Sequence, residues 1–138
     1  MAFQPITWLA VLIAAVASFI AGAIWYGVLG RLWMTALGWS DAEKASNTRP
    51  PTVAMIVSFV AELAMSFVLA GVIGHLGPGN ATIRNGIISG AFIWAGFVVT
   101  TLAVNNAYAR RKPMLTVIDA GHWLLVLLVQ GAVLGAMG

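Results

Sequence analysis

Three ionisable residues, Glu62, Asp119 and His122, sit inside long apolar runs, where a charge is expensive. A carboxylate in hydrocarbon costs about 2.5–3.5 kcal/mol even on the mildest insertion scales, so Glu62 has to be protonated or paired, and an acid so placed is a functional candidate by default. Ten residues past Thr52, where its run begins, it lies about 15 Å along a helix axis, near the middle of a bilayer. Asp119 and His122 are three residues apart and share a helical face. Entered from the same side they reach depths of about 6 and 10 Å, so one water bridges His122 to Glu62 if their helices touch. Tyr26, Thr100, Thr101 and Asn105 fall at comparable depths, whereas Ser18, Ser66, Ser89 and Gln130 in the other half are scattered and neutral. The pattern predicts a polar pocket of Glu62, Asp119, His122, Thr101, Asn105 and Tyr26, open to the cytoplasm, floored by Glu62 and not continuing as a pore. Its chemistry would be uptake of a proton, cation or small ligand, with Asp119 and His122 as relay. The competing reading makes Glu62 a protonated packing group bonded to Ser or Thr, and Asp119 with His122 a local anchor for a helix end.

Other chemistries find few residues to work with. The chain has no cysteine, which removes thiol catalysis, disulfides and thiolate metal sites. One His, one Asp and one Glu from two helices would need waters to complete a metal site, so neither metal nor other cofactor is expected. No nucleophile elbow, phosphate loop or zinc-protease pattern occurs, and enzymatic activity is not expected. Seven Lys and Arg in 138 residues cannot form a phosphate-binding face, so nucleic acid is not a partner.

The elements that must position these groups follow from composition. With 61% hydrophobic and 8% charged residues, a water-soluble domain would lack a surface, and the partner of this chain is the lipid bilayer. Four spans are expected, at residues 6–29, 52–76, 83–104 and 115–137, with loops at 30–51 and 105–114. Barrel strands would be about half as long and would alternate polar with apolar, so the fold class is an all-α four-helix transmembrane bundle in one domain. The first run has no basic residue before it and is too long for a signal core, although Ala21, Gly22 and Ala23 resemble a cleavage site. Arg31, Lys44, Arg49, Arg110, Arg111 and Lys112 flank loops that share a side, leaving Arg84 alone opposite; that side is expected to be cytoplasmic, with both termini outside. Trp8, Trp33, Trp39 and Tyr108 suit interfacial belts. Ser40 with Glu43 reads as a capping box for a short helix, while residues 31–37 are expected to lie along the interface. The sequon at Asn80 falls in a tight turn beside the membrane and is read as chance.

Small residues mark the faces that can pack closely in lipid. Ala10, Ala14, Ser18 and Gly22 step by four along the first span, and Ala54, Ser58, Glu62, Ser66, Ala70 and Gly74 along the second. Gly86 with Gly90 and Gly131 with Gly135 supply GxxxG pairs on the third and fourth. These faces serve packing within the chain or, equally, a homo-oligomer or another membrane protein. Gly22–Gly27 and Gly90–Gly96 also resemble each other, hinting at a repeated hairpin.

Two stretches carry a family resemblance. Gly22, Ala23, Ile24, Trp25, Tyr26 and Gly27, followed by Arg31, Trp33 and Met34, resemble the opening signature of a bacterial integral-membrane family, domain of unknown function 1761. Arg110 and Arg111, then Ile118, Asp119, Ala120, Gly121, His122 and Trp123, with Gly131, Ala132, Val133, Leu134 and Gly135, resemble its closing motif. His122 stands where the family more often has Tyr, and Lys112 with Pro113 interrupts the pattern just before. The resemblance implies a multipass protein of the bacterial inner membrane and brings no activity with it. Two functions therefore stay open: a binding or transport unit built around Glu62, or an accessory subunit docking another membrane protein through its small-residue faces. Small multidrug transporters also combine four helices with one buried Glu, but theirs lies on the first helix.

Overall fold

The computed structural model describes residues 6–138. Four helices are long and apolar enough to cross a membrane, and no strand occurs among the described residues. The first, α1 (Trp8–Ala36), continues through residues 31–36 and caps at Leu37, where an interfacial segment is expected from the sequence. Nothing between Gly30 and Leu37 breaks a helix, and the stop comes only at Gly38, whose φ of +84° favours glycine. At about 1.5 Å per residue its 29 residues span about 43 Å, more than the thickness of the hydrocarbon core.

A short helix, α2 (Asp41–Ser46), follows with the capping box in place: the Ser40 hydroxyl accepts from the Glu43 amide at 3.2 Å, and the Glu43 carboxylate accepts from the Ser40 amide at 3.1 Å. Pro50 and Pro51 then lead into α3 (Thr52–Gly74), which ends before a turn with Gly77 and Gly79 at positive φ. The third span consists of α4 (Ile83–Ile93), a π-helical turn (Trp94–Val98) and α5 (Val99–Tyr108). Pro113, tolerated in a first turn because it lacks only an orphan donor, opens α6 (Pro113–Met137).

α6 is the hub, packed on one flank by α1 and on the other by the third span, with α3 against α1 and α6. The two GxxxG pairs meet face to face within the chain. A Cβ on Gly86 would lie 1.8 Å from the Gly131 carbonyl oxygen, and one on Gly135 would lie 2.1 Å from that of Thr82. Backbones this close gain dispersion contacts that lipid tails cannot match, which is how small residues hold helices in a solvent as apolar as their side chains. The glycine faces are thereby occupied internally and are not free for another chain. Ala10, Val11, Ala14, Leu69, Ile73, Leu127 and Leu134 form the main apolar core. Much of the remaining apolar surface is exposed, including Phe92 at 77% and Phe97 at 75%, as a lipid-facing exterior requires.

Candidate functional site

The facing segments of α1 and α6 interlock crosswise. Gly22 leaves room for the His122 ring, since a Cβ there would lie 2.6 Å from Nε2; Gly121 does the same for Trp25, whose ring atom Cζ2 would be 2.7 Å away. The Trp25 indole donates to the Ile118 carbonyl at 3.1 Å, and Tyr26 donates its hydroxyl to Asp119 Oδ1 at 2.6 Å. From the third span the Trp94 indole donates to the Ala120 carbonyl at 2.7 Å. Tyr26 stands between Asp119 and His122, bonded to one and with its ring centroid 4.7 Å from the other. Asp119 and His122 thus share Tyr26 as neighbour, and the contact spans two helices instead of being local to one.

Glu62 lies one helix away, 1% exposed in a wall made by α1, α3 and α6. Gln130 of α6, fully buried, donates through Nε2 to the Ser18 hydroxyl at 3.0 Å and to the Glu62 backbone carbonyl at 2.9 Å. Ser18 donates to the Ala15 carbonyl at 3.0 Å and lies beside the Glu62 carboxyl. One turn further along α3, Ser66 donates to the Val11 carbonyl at 2.9 Å. Ser18, Ser66 and Gln130, expected to be scattered, are therefore gathered around Glu62, and the spans bearing Glu62 and Gln130 touch. A signal was present: Ser18 sits in a stripe of small residues and Gln130 adjoins Gly131, and a polar group in a tightly packed face has to find a partner there. Three buried atoms still have no hydrogen-bond partner among the described residues: Glu62 Oε1, Gln130 Oε1 and His122 Nδ1.

Beside this knot α1, α3 and α6 line a half-open cavity of about 520 Å3, within the roughly 300–1,000 Å3 usual for small-ligand sites. It runs from Asn47 and Pro51 at the loop end, past Trp33, Tyr26 and Ser58, to Glu62 and His122. Asp119 is not on its surface and reaches it through Tyr26. Thr101 and Asn105, expected in the pocket, are exposed on the far side of the third span. No residue of the third span lines the cavity, because that span packs on the other flank of α6. The π turn, in addition, turns both residues away from α6. In a regular helix both would fall on the face of Gly86 and Gly90, but one extra residue in a turn rotates everything after it by about 100°. Leu102 and Asn106 take their places toward α6, Asn106 donating to the Thr116 hydroxyl at 3.0 Å, while Thr101 bonds back to the Phe97 carbonyl. Among the described residues no three His, Asp or Glu side chains gather, so Glu62 and His122 would need further ligands to hold a metal.

Four apolar spans, an acid buried among them and a cavity beside it define a small multipass helical membrane protein. Within that class the chain belongs to the family described as protein of unknown function (DUF1761), which it matches over residues 9–135. The stretches around Trp25 and around Asp119, which the sequence singled out, are the ones that interlock. No curated protein and no solved structure matches the chain.

Proposed function

We propose that this protein binds a small ligand, a proton or a cation in the cavity that ends at Glu62, entered from the side of the loop between the first two spans. The observation that carries the reading is a carboxyl 1% exposed, with Oε1 unpartnered, on the wall of a cavity large enough for a ligand. An unpaired polar atom in a dry interior costs about 1–3 kcal/mol, a cost that a proton or ligand held at the carboxyl would relieve. Tyr26 and His122 complete the polar lining, with Asp119 behind them. The basic bias of residues 30–51 and 105–114 supports a reading in which that side is cytoplasmic, the membrane is the inner membrane and both termini lie opposite.

The absence of native cysteine makes a direct test available. In inverted vesicles an impermeant maleimide should label Ser58→Cys, on the cavity wall, and should spare Val60→Cys on the lipid face; in right-side-out vesicles neither should react. Equal reactivity of the two positions would remove the cavity as an aqueous site. The thermal stability of the native chain should also vary with pH in a way that Glu62→Gln abolishes. Coincident pH profiles would favour the second reading, an accessory subunit in which Glu62 is a packing device. The observation on that side is the third span, whose bare face with Phe92 and Phe97 could meet another membrane protein.

A further inference from the structure

The lining of the cavity selects among ligands, and this inference rests on the binding reading above. Its inner end holds the buried Glu62 carboxyl with an unpartnered oxygen, and none of its lining residues is Lys or Arg. Phe19 stands at this end too, next to Ser18, and Tyr26 and then Trp33 follow along the wall toward the mouth. An anion would meet an acid and no compensating cation. A small inorganic cation such as calcium or magnesium wants about six or more oxygens, and one carboxyl with a few neutral groups falls short of that. A cationic nitrogen attached to an apolar body uses both ends: the charge pairs with Glu62, and the body lies along aromatic faces whose quadrupoles attract positive charge. The neighbouring loop, residues 30–51, carries Arg31, Lys44 and Arg49 against Asp41 and Glu43, a net +1. These lie outside the lining, and at physiological salt their field is screened over about 8 Å. Tyr26 and His122 are the other titratable groups on the wall.

We propose that the cavity binds a hydrophobic ammonium compound, its nitrogen at Glu62 and its apolar part against Phe19 and, toward the mouth, Tyr26. The same chemistry is offered by a soluble amine and by a lipid amine headgroup entering from the bilayer.

The test uses the full chain in nanodiscs of phosphatidylglycerol, which contain no amine, titrated calorimetrically with benzyltrimethylammonium and with the uncharged, similarly sized N,N-dimethylphenylacetamide. The ammonium should bind the native chain more tightly than the amide does. Glu62→Gln should weaken the ammonium at least about tenfold and leave the amide unchanged, as expected when one ion pair in a low-dielectric site is lost. Phe19→Leu, at the inner end, should weaken the ammonium about threefold or more and carries the test if Glu62→Gln fails to fold by circular dichroism. Repeating the titration with phosphatidylethanolamine in the disc distinguishes the sources: a weaker apparent affinity identifies a competing lipid headgroup, an unchanged one a soluble amine. The proposal is overturned if the amide equals the ammonium and both ignore Glu62→Gln, or if the ammonium gives no heat up to millimolar concentration. In either case a reactive Ser58→Cys thiol would leave the cavity itself standing, whereas an inert thiol would remove both.

Discussion

Gln130 ties together three helices with one amide. Its Nε2 reaches Ser18 on α1 and the Glu62 carbonyl on α3 from its own place on α6. Interhelical hydrogen bonds in membranes average about 0.6 kcal/mol each, because the separated helices also find partners, so Gln130→Leu should lower stability by about 1 kcal/mol, read by thermal or detergent unfolding. A change of under a few tenths of a kcal/mol would mean that the amide does not bridge the helices. At this scale the sequence is readable where burial is costly. Glu62, Asp119 and His122 stand out because a charge in an apolar run has to be explained, and the structure brings Glu62 and His122 to one cavity with Asp119 behind Tyr26. Gln130 and Ser18 are neutral, cost far less to insert and so raise no comparable signal, although they hold Glu62 in place.

Helices are held here by how closely their backbones approach. Gly86→Leu would push a side chain into a space where even a Cβ meets the Gly131 carbonyl, separating α4 from α6. The expected loss is about 3 kcal/mol, at the upper end for overpacked sites, with a lower melting temperature in detergent as the readout; a melting temperature within a degree or two of the native value would contradict the packing described. The small helix α2 makes a different prediction. The Ser40 backbone amide, and after it the Ser40 side chain, bonds Glu43 and holds its carboxyl below the usual carboxylate range. A group depressed on folding stabilises above its unfolded value and loses that contribution as pH falls through the folded one, so α2 should fray in acid, and Ser40→Ala should fray it at every pH. Amide exchange at Glu43 measures both, and protection that survives acid unchanged would count against the cap. The number, type and approximate limits of the spans were legible because their length and lack of charge admit no alternative. The extension of α1 and the π turn were not: the first depends on the absence of a helix breaker, the second leaves no signature in composition, and Thr101 and Asn105 lie outside the site because their span packs on the other flank of α6.

Which spans touch is a property of the whole molecule, and in lipid the sequence says little about it. A soluble helix shows its buried face as an apolar stripe, but here the exterior is as apolar as the interior, and only small or polar residues mark the inner side. The glycine pairs on α4 and α6 were readable in that way, whereas the central position of α6 was not. The crosswise seating of α1 on α6 has a mechanical corollary. Each helix carries a notch filled by a ring from the other, Gly22 by His122 and Gly121 by Trp25, so the pair behaves like a dovetail: sliding or twisting drives a ring into a backbone. The lock leaves α3, tied to its neighbours through Ser66 and Gln130 at the inner end, as the wall with no such ring-in-notch restraint.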